Sequence, residues 1–219
     1  MGAYAMLFAA GGIVFESYLE KKSEYVKYVV IFLMIIVTIP VIPYGLPILK
    51  IDKMKQYCAF MKDNFFISSP LYWEDGKIYS LPQDFADMYG WEELAQKVSK
   101  FYHNLPVEGR KSCMIHGGGY SHASALLYYK KKYNLPEVFS FNGSFIIWAP
   151  DSINFNSQIL VDDAFHTESS WFNNMELVDQ IQNPNARDPG YIYYRTNPKI
   201  DVIRRWSEEV KENKSRYNF

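Results

Sequence analysis

Residues 28–49 read YVVIFLMIIVTIPVIPYGLPIL, and this stretch decides how the rest of the chain is organised. It runs for 22 residues without a charge. At 1.5 Å of rise per residue, a helix of that length reaches about 33 Å, enough to cross a hydrocarbon core. The competing reading is a buried helix of a soluble domain. Such a helix keeps a polar face, however, and this run offers only Tyr28, Thr38 and Tyr44. The stretch therefore predicts a transmembrane helix over about 28–47. Pro40, Pro43, Gly45 and Pro47 crowd its C-terminal third. Because proline removes a helical hydrogen bond, the regular helix is expected to end near Ile39 and to leave by a kinked or extended exit.

Upstream, residues 3–15, AYAMLFAAGGIVF, are apolar and rich in the small residues that allow close helix packing in a membrane. They are too short to span unaided, and they lack the basic leader and cleavage site of a signal peptide. The expectation is the second half of a membrane helix, over about 3–19, whose first half is missing. Residues 16–27 then form a short polar loop. Lys21, Lys22 and Lys27 favour a cytoplasmic loop and an external C-terminal domain, but Lys50, Lys53 and Lys55 bring the charge rule close to a tie.

Beyond residue 49 the character changes. Only three of the 23 basic and three of the 24 acidic residues lie before Lys50, so residues 50–219 are mixed in charge and long enough for one globular domain. A net charge of −1 excludes a broad nucleic-acid surface. Lys130, Lys131 and Lys132 read as a solvated helix end. Cys58 and Cys113 have no metal spacing, which leaves two free thiols or one disulfide. The many Tyr and Phe residues suit a protein that meets lipid headgroups or sugars.

Along this domain, residues 51–66 predict a short amphipathic helix near the membrane, and 68–82 a loop marked by Pro70, Asp75-Gly76 and Pro82. Trp91, Leu94, Ala95, Val98, Tyr102 and Leu105 recur at helical spacing over 90–104. Residues 112–116 form a short apolar strand that runs through Gly117-Gly118-Gly119 into a helix over 121–133, closed by Asn134 and Pro136. Further strands are expected at 138–140, 158–161 and 191–195, with a closing helix over 199–211. Alternating strands and helices predict an α/β layered domain with a largely parallel sheet.

LFAAGG at 7–12, LPIL at 46–49, LPQDFADMYGWEEL at 81–94, LPEVFSFNGSFIIWAPD at 135–151 and NARDPGYIYY at 185–194 occur in one order. Together they resemble the C-terminal end of bacterial glycosyltransferase family 39 membrane proteins. These are relatives of dolichyl-phosphate-mannose–protein mannosyltransferases and of the aminoarabinose transferase of lipid A. The resemblance implies a GT-C type membrane enzyme that takes a sugar from a polyprenyl-phosphate donor. It also implies a bacterial cytoplasmic membrane location with the 50–219 domain on the extracytoplasmic side. Such enzymes carry their essential acids in an early extracytoplasmic loop that nothing here matches. No catalytic residue, metal ligand or cofactor is therefore assigned, and the chain is expected to be a fragment that works with missing N-terminal helices.

Candidate binding residues are Gly118, Gly119 and Tyr120, where strand, glycines and helix could present amides to a phosphate. The competing reading is a plain tight turn, and the sequence departs here from the family's Asn-Tyr-Gly-like pattern. Asp162, with Asp163, ends a strand where α/β domains place ligand groups, or else simply forms a solvated turn. Asn142, Trp148 and Asp151 lie in the family's most distinctive loop, where Trp148 either stacks on a sugar or anchors the loop in the core. His116, Ser121 and His122 lack the G-x-S-x-G of a nucleophile elbow, and Ser121 is better placed as a helix N-cap. His103 and His166 have no partner at zinc-ligand spacing. Two functions remain: part of a polyprenyl-phosphate-sugar glycosyltransferase, or a membrane-anchored α/β binding module without chemistry. In-frame coding sequence for further hydrophobic helices upstream of Met1 would separate them.

Overall fold

A computed structural model describes residues 2–20 and 24–217, so Lys21 and Lys22 lie outside the described residues. The chain divides into two compact units, Met1–Pro82 and Gln83–Phe219. The first therefore continues past the sequence-based boundary at residue 49.

The first unit begins with α1 (Gly2–Glu20) and α2 (Glu24–Thr38). Glu24–Gly45, 22 residues with a mean hydropathy of 2.4, is the one helical stretch among the described residues long and apolar enough to cross a membrane, and none of its most apolar window is buried. Of the two membrane segments expected, about 3–19 and about 28–47, only the second coincides with a helix of that length and hydropathy. α1 is helical as predicted, but Glu16, Ser17 and Glu20 dilute its C-terminal end. A methyl group built on Gly11 or Gly12 meets nothing within 4 Å, so their small surfaces stay open. The prolines act as predicted. α2 stops at Thr38, a 3-10 turn follows at Ile39–Val41, α3 (Ile42–Gly45) adds one turn, and Leu46 is extended. After α3 comes α4 (Ile51–Phe65), whose Met54, Cys58 and Met61 form one buried stripe. The loop beyond it carries a stacked Trp73–Tyr79 pair, 3.7 Å between ring centres.

The second unit is α/β. Its helices are α5 (Gln83–Ala86), α6 (Trp91–Asn104), α7 (Val107–Lys111), α8 (Tyr120–Tyr133), α9 (Phe145–Trp148) and α10 (Val202–Ser215). Its strands are β1 (Cys113–Gly117), β2 (Val138–Phe139), β3 (Ser157–Asp162), β4 (Phe172–Asp179) and β5 (Tyr191–Pro198), ordered β2-β1-β3-β5-β4 across one sheet. β2, β1 and β3 are parallel, whereas β3–β5 and β5–β4 are antiparallel. The sheet is thus mixed, and the expectation of a largely parallel one is corrected. A parallel pairing needs a long crossover, and no helix lies between β3 and β5 to make it. β4 escaped the sequence reading because FNNMELVD sits at the sheet edge, mostly exposed and without strict alternation.

Each sheet face carries its own core. Ile115, Val138, Ile159, Val161 and Ile192 pack with Leu94, Val98 and Leu126 of α6 and α8. Met114, Phe155 and Phe172 pack with Val202, Trp206 and Val210 of α10. Trp206 is fully buried and its indole donates to Pro150 O at 2.9 Å. α10 starts three residues later than predicted because Asp201 caps it, accepting the Arg204 amide at 3.0 Å. Lys130–Lys132 form the last turn of α8, as predicted, with Lys130 paired to Glu137 and Lys132 to Glu92.

Candidate functional site

The site grows from the turn after β1. A methyl group on Gly117 would sit 2.6 Å from the backbone nitrogen of Ala123, so the strand needs glycine to pass under the first turn of α8. On Gly118 it would meet the Asp162 carboxylate at 2.7 Å. The Gly118 amide donates to Val161 O at 2.7 Å, and the Gly119 amide to His122 Nδ1 at 3.3 Å. Both amides are thus used inside the fold, and the Asp162 carboxylate packs directly against Gly118. The geometry favours the tight-turn reading of the glycines. Helix α8 begins at Tyr120 with Gly119 at the N-cap, so Ser121 lies inside the helix and not at its cap.

Five acid and imidazole groups collect beside this turn. His166 Nε2 lies 2.9 Å from Asp162 Oδ2. Burial pushes the Asp162 carboxyl up, but hydrogen bonds from His166, Asp163 and the Ala164 amide outweigh it and hold the group below the usual carboxylate value. Asp163 moves the other way. Desolvation, its hydrogen bond with Asp162 and the charges of Asp188 and Asp162 raise it, against a smaller opposing effect of His122. His122 is buried, and its Nε2 lies 3.1 Å from Asp188 Oδ2. Asp188 is held from the other side by the Gly190 amide at 2.8 Å. Among the described residues, no three His, Cys, Asp or Glu side chains are placed to hold a metal ion.

Asp188 also lines the neighbouring cleft. This cleft, about 500 Å³, is walled by Trp91, Tyr120, Tyr128 and Tyr129, with Ala125 between them and Asp87, Ser121, Ser124, Arg187 and Asp188 supplying polar groups. Trp91 is fixed by its indole donating to Asp87 O at 2.6 Å and by an edge contact with the His122 ring. Arg187 pairs with Asp87. The turn that delivers Asp188 requires Gly190, whose φ of +49° and 2.6 Å approach to Ile181 exclude a side chain. Tyr120 and Tyr128 are 65% and 81% exposed, so their rings are open to a ligand.

The predicted residues scatter around this arrangement. Tyr120 lines the cleft, and Gly118 and Gly119 shape the turn behind it. Asn142 is exposed, its amide donating to Ser140 Oγ, while Gly143 beside it lies against Tyr120. Trp148 is 81% exposed at the end of α9, so it does not anchor the loop, and Ile146 takes that role. Asp151 pairs with Lys214 of α10 at 2.8 Å. His103 Nε2 sits 3.1 Å from Asn134 O, at the end of α8. Cys58 and Cys113 are both free and buried.

Asp87, Arg187 and Asp188 were missed. Their signal was available, since LPQDFADMYGWEEL supplies Asp87 and Trp91 and NARDPGYIYY supplies Arg187 and Asp188. Two stretches about a hundred residues apart meet in one cleft. Set against known protein families, curated proteins and solved structures, the chain matches none.

Proposed function

We propose that this chain is the C-terminal part of a membrane glycosyltransferase of the GT-C type that uses a polyprenyl-phosphate sugar. Its second unit would position sugar, and the chemistry would belong to an early extracytoplasmic loop of the longer enzyme. The observation that carries this reading is the cleft beside α8. The rings of Tyr120, Tyr128, Tyr129 and Trp91 offer the flat apolar surfaces on which the nonpolar face of a pyranose packs. Asp87, Asp188, Ser121, Ser124 and Arg187 offer donors and acceptors for its hydroxyls. The apolar Glu24–Gly45 helix would seat the chain in a bacterial cytoplasmic membrane with the second unit outside.

The proposal is tested with the full chain in lipid nanodiscs and a labelled polyprenyl-phosphate sugar. Binding without turnover is expected, weakened by Tyr128→Ala and by Asp188→Asn. Turnover above empty nanodiscs, abolished by a substitution within 50–219, would place the chemistry in this chain and overturn the reading. Equal binding by wild type and both variants would remove the cleft from it. A reporter active only outside the cytoplasm, fused after Phe219, should be active; silence there would reverse the orientation.

A further inference from the structure

Helix α4 carries two apolar surfaces, and the first unit uses only one. Met54, Cys58 and Met61 face inward and are buried. The other is made by Phe60, Phe65 and Phe66 at the C-terminal end of the helix, 54%, 58% and 88% exposed, with the Phe60 and Phe65 rings 5.8 Å apart. Phe66 adopts φ +57°, a left-handed conformation that is unusual for a bulky side chain and ordinarily left to glycine. It ends the helix there, with its amide returning to Lys62 and that of Ile67 to Met61.

What such a surface meets depends on where α4 lies, and two contacts fix this within the unit. Tyr57 Oη donates to Pro40 O at 2.5 Å, and the Tyr57 and Tyr44 rings are 5.6 Å apart. Pro40 and Tyr44 belong to the last residues of the apolar Glu24–Gly45 stretch. Measured along a helix axis, Pro40 lies only about 8 Å from the end of that stretch. If Glu24–Gly45 crosses a bilayer, α4 is held at the depth where hydrocarbon gives way to headgroups. Its Asp52, Lys53, Lys55, Lys62 and Asp63 exclude the hydrocarbon, and three open phenyl rings are poorly placed in bulk water. The interfacial layer suits both.

We infer that α4 lies in the membrane interface and that Phe60, Phe65 and Phe66 contact lipid. The surface is a lipid-facing platform at the exit of the membrane helix, and not part of the water-exposed domain. The inference rests on the membrane reading of Glu24–Gly45 given above, and the test separates the two.

Nitroxide labels are placed singly at Met34→Cys, Phe60→Cys, Phe66→Cys and Lys131→Cys in the full chain, reconstituted in phosphatidylcholine–phosphatidylglycerol vesicles. The unsubstituted chain, whose two thiols are buried, supplies the background. Collisional accessibility to oxygen and to a water-soluble nickel chelate is then compared. The expected result is a label at 34 deep in lipid, labels at 60 and 66 at headgroup depth, and a label at 131 in water. The oxygen-to-nickel ratio at 60 and 66 should exceed that at 131 several-fold. If 34 is in lipid while 60 and 66 match 131, the interfacial placement is overturned and the membrane reading stands. If 34 is in water, both fall.

Discussion

His116 should make the second unit acid-sensitive by a predictable amount. Its ring sits on β1 among Phe141 and Trp206, 8% exposed, with no hydrogen-bond partner at Nδ1 among the described residues. Burial pushes its pKa down from 6.5 to about 4, and the Arg195 charge adds to this against the weaker pull of Asp162. A depressed histidine costs nothing above pH 6.5, where the folded and unfolded chains are both neutral. Below that, the unfolded chain takes up a proton that the folded one refuses, so stability falls as pH drops. The loss runs at about 1.4 kcal/mol per pH unit and levels off near pH 4, at about 3 kcal/mol in all. His116→Leu removes the titration and the unpartnered nitrogen together, while the carboxylates that also titrate here remain in both chains. Unfolding free energies of the full chain in detergent, measured from pH 7 to pH 4, should show the difference between variant and wild type moving by about 3 kcal/mol in favour of leucine. Carbon-labelled histidine spectra should show the His116 imidazole still neutral at pH 5. A constant difference across the range, with the His116 imidazole titrating near 6.5, would refute the reasoning.

Gly118→Ala drives a methyl group into the Asp162 carboxylate and should cost about 1–3 kcal/mol by thermal melting, largely recovered in the double variant with Asp162→Ala. Asp163 has a raised pKa, so its ionised form is disfavoured in the fold. Asp163→Asn, which mimics the protonated acid, should therefore melt no lower than wild type at pH 7 and lose any advantage at pH 3. A melting point clearly below wild type at pH 7 would mean that the charge itself is needed. Phe66→Gly relieves a left-handed φ and should stabilise the first unit by about 1 kcal/mol, read as slower amide exchange over α4. Faster exchange would show that the contacts of the Phe66 ring, with the protein or with lipid, outweigh the relieved strain.

Much of the fold was legible because local and long-range signals agreed. α6 and α8 combine apolar spacing with glycine starts, and α8 closes at Asn134, which takes the αL conformation. The prolines after Ile39 break the apolar helix where backbone chemistry requires it. What failed was the pairing direction of β5 and the existence of β4. Direction depends on how the chain returns across the sheet, which no local pattern encodes. β4 is stabilised through its ladder with β5, from Phe172↔Pro198 to Asp179↔Ile192, and not by an apolar face of its own. Such a strand leaves no periodic trace in sequence.

The site was less legible for a related reason: its residues gain meaning only from partners distant in sequence. Trp91 reads as one more apolar position of α6, yet in the fold it is a cleft wall held by Asp87 and braced on His122. His122 reads as half of a weak hydrolase pattern, yet it caps the Gly119 amide and faces Asp188. Asp188 belongs to both clusters, lining the cleft while its charge helps raise Asp163. The glycine turn, for which the sequence offers a plain tight turn or an anion site, is the spacer that lets Asp162 and Asp163 approach α8. It holds acids beside the cleft, whose lining comes from Trp91 of α6, from α8 and from the two loops that carry Asp87 and Asp188.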